Sequence, residues 1–191
     1  MSSSRFVELS HRIEGGMITY PGLPAPVIAE HLTREASAER YAPGTTFSIG
    51  RVEMVANTGT YVDAPFHRFE QGIDVAGLAL DRLADLGGVV VDARAAGRAI
   101  GPGAFEGVSV EESAVLIRTG WDEKWRSPEY GTGHPFLTRA AAELLVARGA
   151  GLVGIDSLNI DDTADLSRPA HTLLLEAGIP IVEHLANLGA V

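Results

Sequence analysis

The 191-residue sequence contains no cysteine. Disulfides, thiolate nucleophiles and cysteine-based zinc or iron–sulfur sites are therefore excluded, and any metal must be held by histidine, carboxylate, amide or phenol oxygen. The sequence has a single lysine, Lys124, and a formal net charge of −10, which disfavours nucleic acid or an anionic membrane as a partner. No run approaches the length of about 18 apolar residues that spans a bilayer, so no transmembrane helix is predicted.

The remaining composition is that of an ordinary globular protein. Apolar residues make up 46% and charged residues 21% of the chain, and glycine and proline are spread along it without forming a linker. We therefore expect one domain over residues 1–191. Met1–Arg5 is not followed by an apolar h-region, so no secretory signal is recognised and a cytoplasmic location is expected.

Short apolar runs between turn residues predict an α/β protein with a mixed central sheet and few helices. One helix is expected from Arg139 to Arg148, with Thr138 as its N-cap, and another from Pro169 to near Gly178. Residues 20–45 and 120–136 are expected to be long loops that line a site or cover a partner. The predicted strands are Phe6–Leu9, Phe47–Met54 with a continuation into Asn57–His67, Val89–Asp92, Val115–Arg118, Leu152–Asp156 and Ile179–Val182.

The first candidate site lies in residues 57–67. If this segment is extended, alternate side chains share a face, and Pro65 ends regular pairing. The polar groups on that face could bind a cation or move a proton; alternatively, Asp63 and His67 share only a surface hydrogen bond. The residues on this face are Asn57, Gly59, Tyr61, Asp63, Pro65 and His67.

The second candidate site lies in residues 168–184. His171 falls in the first turn of the predicted helix, and Glu183 ends the strand that returns after it. The helix climbs roughly 10 Å from His171 to Gly178, and the strand descends roughly 10 Å to Glu183, so the two side chains should reach one level. With Asp63 they would suit zinc or manganese. Alternatively, the histidine is a helix-cap residue that never meets the glutamate.

Other polar residues carry weaker signals. His184 alternates to the face opposite Glu183 and is expected to be structural. The acidic residues Asp156, Asp161, Asp162 and Asp165 are interpreted as a solvated turn rather than a cation site. Trp121 and Trp125 could pack on an aromatic substrate, although filling the edge of the core is the simpler interpretation.

Several motifs in the same order resemble the cyclase family, which includes bacterial kynurenine formamidase and isatin hydrolase. Residues 57–67 are similar to the family signature H-x-G-T-H-x-D-x-P-x-H, and residues 171–183 resemble its closing motif H-x-x-L-L-x-x-G-I-P-I-V-E. Further matches are Leu9–His11, Tyr20–Gly22, Ile117–Trp121, His134–Pro135 and Gly154–Asp156.

The resemblance implies a swivelling β/β/α fold, usually as a homodimer or homotetramer, and an enzyme of the amidohydrolase type that acts on C–N bonds other than peptide bonds. A metal-activated water would attack the carbonyl of a small amide, lactam or lactone. Carried over by position, Asp63, His171 and Glu183 correspond to metal ligands, and His67 to the catalytic histidine.

The sequence departs from the family at two positions. Asn57 and Tyr61 replace signature histidines that hold the first metal. Asparagine is a weak neutral ligand, and tyrosine binds mainly as phenolate, whose unperturbed pKa is about 10. One divalent metal, zinc or manganese, would remain on Asp63, His171 and Glu183. Alternatively, the pocket is metal-free and belongs to a cyclase, dehydratase or isomerase that uses Tyr61 and His67, or to a non-catalytic protein that binds a small molecule.

Overall fold

The computed structural model describes residues 6–191; Met1–Arg5, to which the expectation about a secretory signal refers, lie outside the described residues. The chain divides into two compact units, one of residues 12–59 and one that combines the segment up to His11 with Thr60–Val191. The expectation of a single domain over residues 1–191 stays a prediction. Within the part of the chain described, no helix combines the length and apolar character needed to cross a membrane.

The unit of residues 12–59 contains a two-stranded antiparallel ribbon. Strand β1 (Val27–Leu32) pairs with strand β2 (Ile49–Glu53), and helix α1 (Arg34–Ala38) lies between them in the chain. The side chain of Thr33 caps α1 by accepting the Ala36 N–H. β2 agrees with the strand predicted near residues 47–54. The expectation of a loop over residues 20–45 is wrong, because β1 and α1 form within it.

The larger unit contains the remaining regular elements. Its strands are β3 (Tyr61–Asp63), β4 (Gly88–Asp92), β5 (Ala99–Ile100), β6 (Ala114–Arg118), β7 (Phe136–Leu137), β8 (Leu152–Ile155) and β9 (Ile181–Glu183), and its helices are α2 (Arg139–Ala147) and α3 (Pro169–Glu176). The predicted strand at Phe6–Leu9 does not form. Instead, the Leu9 carbonyl accepts a single hydrogen bond from Ala186 N–H.

The central sheet of this unit has the order β3-β9-β8-β6-β4 in the described chain. β9, β8, β6 and β4 run parallel, and β3 is antiparallel to β9. The predicted mixed α/β fold with few helices is therefore confirmed. β8 is buried over its whole length, as continuous apolar strands covered on both faces should be. β5 and β7 form a separate short pair.

The two predicted helices form where their end signals place them. Thr138 accepts the Ala141 N–H at the start of α2, and α3 begins at Pro169. Gly149 and Gly178, which follow the helices, have φ of +70° and +71°, a left-handed conformation that glycine adopts without a Cβ penalty. Apolar side chains of both helices, such as Leu145 and Leu174, pack in one core with β6, β8 and β9, where Ile181 is buried.

Residues 57–67 are extended over a shorter stretch than the alternation predicts. Regular pairing is confined to β3, and Pro65–His67 forms a 3-10 turn. The proline lacks the N–H that a strand would need, so it starts the turn instead of continuing the ladder. His67 is consequently carried to the site by a turn and not by a strand.

Candidate metal centre

The antiparallel pairing of β3 with β9 brings the two sequence clusters together. Tyr61 lies opposite Glu183 in the register, and Asp63 lies opposite Ile181. The Tyr61 hydroxyl donates a hydrogen bond of 2.5 Å to Glu183 Oε2. Asp63 and Glu183 are buried, with 4% and 0% of their surface exposed. The carboxylates of Asp63, on the edge strand β3, and of Glu183, on the neighbouring strand β9, are therefore buried on the same face of the sheet.

The first turn of α3 adds His171 to these carboxylates. Its Nε2 lies 3.7 Å from Asp63 Oδ2 and 3.6 Å from Glu183 Oε1. The helix and the returning strand thus meet at one level, as their rises per residue predict. The alternative in which the histidine and the glutamate do not meet is wrong.

His67 lies at the solvent-facing side of the same group. Its Nδ1 is 3.4 Å from Asp63 Oδ1, and its ring centroid is 5.7 Å from that of His171. The His67 side chain is 44% exposed, whereas that of Asp63 is only 5% exposed. His67 is therefore far more exposed than Asp63, His171 and Glu183.

Asp161 is a further member that the sequence interpretation missed. It is fully buried, and its Oδ2 lies 2.7 Å from His171 Nδ1, so its assignment to a solvated turn is wrong. The assignment is also wrong for Asp156, which is fully buried, but it holds for Asp162 and Asp165, which bind Arg98 and Ser167 near the surface. No local spacing identifies Asp161, because its partner lies ten residues further along the chain. We call Asp63, Asp161, His171 and Glu183 the carboxylate cluster.

Electrostatics in the carboxylate cluster favour a positive charge. Burial alone would lower the pKa of His171, but the hydrogen bond to Asp161 and the nearby carboxylates of Asp63 and Glu183 outweigh it and raise this pKa to about 10. Burial raises the pKa of Glu183 to about 7; the charge of His171 opposes this rise and that of Asp63 adds to it. With all three carboxylates ionised, one imidazolium still leaves two negative charges uncompensated in a buried place.

The donor set fits a divalent cation. Asp63 Oδ2 is buried and has no hydrogen-bond partner among the described residues. Donor atoms about 2.1 Å from one zinc ion in a tetrahedron lie about 3.4 Å apart, close to the separations between His171 and the two carboxylates. Donor atoms of Asp63, His67 and His171 also lie within 4.8 Å of one another. Asp63 and His171 thus belong to a set that His67 completes, and Glu183 is a further carboxylate that lies close to His171 Nε2.

His184 belongs to a different environment, although it follows Glu183 directly. Its Nδ1 lies 2.8 Å from the Tyr130 hydroxyl, and its ring is 5.7 Å from that of Trp125. Burial lowers the pKa of His184 to about 3. His11 stacks on Trp125 at 3.9 Å. These contacts fit the structural role expected for His184 and the packing expected for Trp125. We call His11, Trp125, Tyr130 and His184 the aromatic cluster.

Comparison with known proteins identifies the family. The family model described as "Putative cyclase" matches residues 7–162. The chain belongs to the cyclase family, as its motifs predict.

The curated relatives include kynurenine formamidases of Bacillus cytotoxicus, 27% identical over 97% of this chain and 84% of that protein, and of Erythrobacter litoralis, 29% identical over 96% and 80%. Among solved structures, isatin hydrolase A from Labrenzia aggregata has a TM-score of 0.77 at 24% identity and covers 98% of this chain and 82% of that one. A structure described as a potential metal-dependent hydrolase with cyclase activity has a TM-score of 0.75 at 24% identity, over 94% and 80%. These structures share the fold.

Proposed function

We propose that the protein is a metal-dependent hydrolase of a small amide, lactam or lactone. One observation carries the proposal: His171 Nε2 lies 3.7 Å from Asp63 Oδ2, a buried oxygen without a hydrogen-bond partner among the described residues, and 3.6 Å from Glu183 Oε1. The names of the relatives, kynurenine formamidase and isatin hydrolase, agree with an enzyme that acts on C–N bonds other than peptide bonds.

Asp63, His171 and Glu183 would hold one zinc or manganese ion. When bound, such a cation supplies Lewis-acid chemistry: it polarises a carbonyl oxygen and acidifies water. We favour Glu183 over His67 as the third ligand because Glu183 is fully buried and its carboxylate is fixed by the Ile160 N–H and the Tyr61 hydroxyl. His67, in contrast, is 44% exposed, and its Nδ1 lies 3.4 Å from Asp63 Oδ1.

His67 would handle the protons of the reaction. Because its Nδ1 faces Asp63 Oδ1, its Nε2 is the atom that can accept a proton from water and return it to the leaving nitrogen or oxygen. Asp63 would fix the orientation of the His67 ring. A histidine exposed at the edge of a buried carboxylate group is well placed for this task, since it contacts solvent and substrate together.

Tyr61 would support Glu183 in place of the imidazole that the family signature has at this position. Its hydroxyl proton is directed at Glu183 Oε2, so the residue acts as a hydrogen-bond donor to the carboxylate. In the alternative metal-free enzyme, the same hydroxyl would be the general acid and His67 the base. These two roles predict different results for a Tyr61→Phe variant.

The test is elemental analysis of the full chain purified without chelator, combined with hydrolysis assays on N-formylkynurenine and isatin. We expect about one equivalent of zinc or manganese per chain, which a chelator removes together with activity. Glu183→Gln should lose the metal, whereas His67→Asn should keep it and lose turnover by roughly 100-fold or more. His31→Asn, an exposed histidine in the other unit, is the matched control and should change neither.

Two results would overturn parts of the proposal. A protein that neither contains nor takes up zinc or manganese, and hydrolyses neither probe, is not this hydrolase; loss of another activity on Tyr61→Phe substitution would then favour the metal-free enzyme. If His67→Asn loses the metal and Glu183→Gln keeps it, the third ligand is His67 and not Glu183.

A further inference from the structure

The segment Asn159–Asp161, between β8 and α3, contacts two of the proposed ligands. All three residues are buried. The Ile160 N–H donates to Glu183 Oε1 at 2.7 Å, and Asn159 Nδ2 lies 3.4 Å from Glu183 Oε2. Asp161 contacts His171. The two ligands therefore come from different elements, but one stretch of three residues touches both.

Asp161 makes the closest contacts in this segment. Its Oδ1 accepts the Ala170 N–H at 2.6 Å, and its Oδ2 accepts the His171 N–H at 3.0 Å. The same Oδ2 lies 2.7 Å from His171 Nδ1. Asn159 Oδ1 in turn accepts the Asp161 N–H at 3.0 Å, which holds the segment in place.

These contacts cap the N-terminus of α3, although Asp161 lies outside the usual N-cap position in the sequence. Arg168, the residue at the N-cap of α3, is in a left-handed conformation and makes no side-chain cap bond. Asp161 supplies the acceptors instead and binds the imidazole of His171 with the same carboxylate. The backbone and the side chain of His171 are thus held by one group.

We propose that Asp161 is a positioning residue that fixes the tautomer and the direction of His171 for cation binding; this inference rests on the proposed function. With Nδ1–H donated to Asp161, the lone pair of the neutral ring is on Nε2, the atom that faces Asp63 and Glu183. A carboxylate behind a ligating histidine also increases the basicity of the ring. Asp161 itself is not among the residues that would hold the cation.

The sharpest variant is Asp161→Asn in the full chain. The asparagine oxygen can still accept from the helix N-terminus, but its amide group can donate to Nδ1 and so favour the opposite tautomer, with the proton on Nε2. Removal of such an outer partner typically weakens metal binding about 10- to 100-fold. We expect this loss in zinc affinity, measured by competition with a chromophoric chelator at constant pH.

Nitrogen-15 NMR of the histidine rings provides a second readout that a purely structural role would not change. In the zinc-loaded wild type, the His171 ring should carry its proton on Nδ1, with a hydrogen-bonded Nδ1 proton resonance. Asp161→Asn should lose this resonance. Asp156→Asn is the matched control, because Asp156 is also a fully buried carboxylate but binds the Thr119 and Gly120 N–H groups. It should reduce stability and leave zinc affinity and the His171 resonance unchanged.

The outcomes separate this inference from the proposed function. Wild-type affinity and an unchanged His171 resonance in Asp161→Asn would overturn the positioning role, and so would an equal loss of affinity in Asp156→Asn. If the wild type binds neither zinc nor manganese, the proposed function fails. The His171 Nδ1 proton resonance can then still be compared between the cation-free wild type and cation-free Asp161→Asn. If the resonance persists in Asp161→Asn, Asp161 does not fix the His171 ring.

Discussion

The carboxylate cluster and the aromatic cluster each contain a buried histidine, and the two histidines have opposite chemistry. His171 is 5% exposed and His184 is 0% exposed, so burial alone does not distinguish them. Glu183 and His184 are consecutive residues but belong to different clusters, because side chains alternate at the end of β9. The comparison shows that the neighbours, and not the degree of burial, decide what a buried imidazole can do.

The neighbours act in opposite directions on the two rings. Desolvation favours the neutral form of both, but at His171 the surrounding carboxylates outweigh it and raise the pKa to about 10. At His184 the partners are aromatic rings and a tyrosine hydroxyl, and the pKa falls to about 3. One cluster attracts a cation, and the other excludes charge.

The largest expected effect is on cation binding when each histidine is replaced by asparagine. His171→Asn removes a proposed ligand, so zinc affinity should fall by more than the roughly 100-fold that loss of an outer partner can cause. His184→Asn should keep zinc affinity within about 3-fold, although it loses a buried contact and becomes less stable. Chelator competition measures the affinities, and circular dichroism verifies that both variants are folded.

Equal losses in the two variants would contradict the comparison. Full retention of zinc by His171→Asn would also contradict it, because the cation would then be bound without a ligand from helix α3. A His184→Asn variant that loses both its secondary structure and its zinc would be replaced by His184→Gln, whose amide oxygen can still accept from the Tyr130 hydroxyl.

The second effect concerns stability at acid pH. The folded pKa of His184 is lowered to about 3 from an ordinary value of 6.5, so below pH 6.5 the unfolded chain binds a proton that the folded protein does not. This contribution is complete above pH 6.5 and is lost as the pH falls towards 3. His171 has the opposite sign: in the cation-free protein its contribution is lost as the pH rises from 6.5 towards about 10.

The measurement is urea unfolding of the cation-free wild type and of His184→Gln at pH 7.5 and pH 5. Between these values the wild type should lose roughly 2 kcal/mol of unfolding free energy through His184, which the variant should not lose. The loss in the wild type should therefore exceed that in the variant by this amount. Identical losses would mean that His184 is protonated in the folded state, and the contrast with His171 would disappear.

Much of the fold could be predicted because it depends on local signals. Apolar runs identify β4, β6 and β8, and the capping threonine and the initial proline define α2 and α3. β1 and α1 could not be identified, since the glycines and prolines around them suggest a loop more strongly than their own weak periodicity suggests structure.

The candidate site likewise has one part that could be predicted from the sequence and another that could not. The approach of His171 and Glu183 could be predicted, because it needs only the rise per residue of a helix and a strand that are joined by a short turn. Asp161 could not, since its contacts depend on the path of the connection between β8 and α3, which no spacing encodes. The support of Glu183 by Tyr61 depends on the register of β3 against β9, which is equally absent from the sequence pattern.

The smallest expected effect comes from a pair of tyrosine variants that differ in the cluster they touch. Tyr130→Phe removes the hydroxyl that lies 2.8 Å from His184 Nδ1 and leaves this buried nitrogen unpaired, at a cost of about 1–3 kcal/mol in unfolding free energy. Zinc affinity should not change. Tyr61→Phe removes the donor to Glu183 Oε2 and should weaken zinc binding by about 10-fold, the lower end of the range for outer partners.

Both variants delete one hydroxyl from a ring whose other contacts remain, so thermal unfolding and chelator competition on the same samples compare them directly. Tyr130→Phe should lower the melting temperature of the cation-free protein by several degrees. A loss of zinc affinity in Tyr130→Phe equal to that in Tyr61→Phe would show that the two clusters are coupled. The claim that the neighbours of Glu183 affect cation binding, and those of His184 do not, would then be wrong. A change confined to Tyr61→Phe would instead show that the cation site is tuned by Tyr61, one of the two residues that stand where the family signature has a histidine.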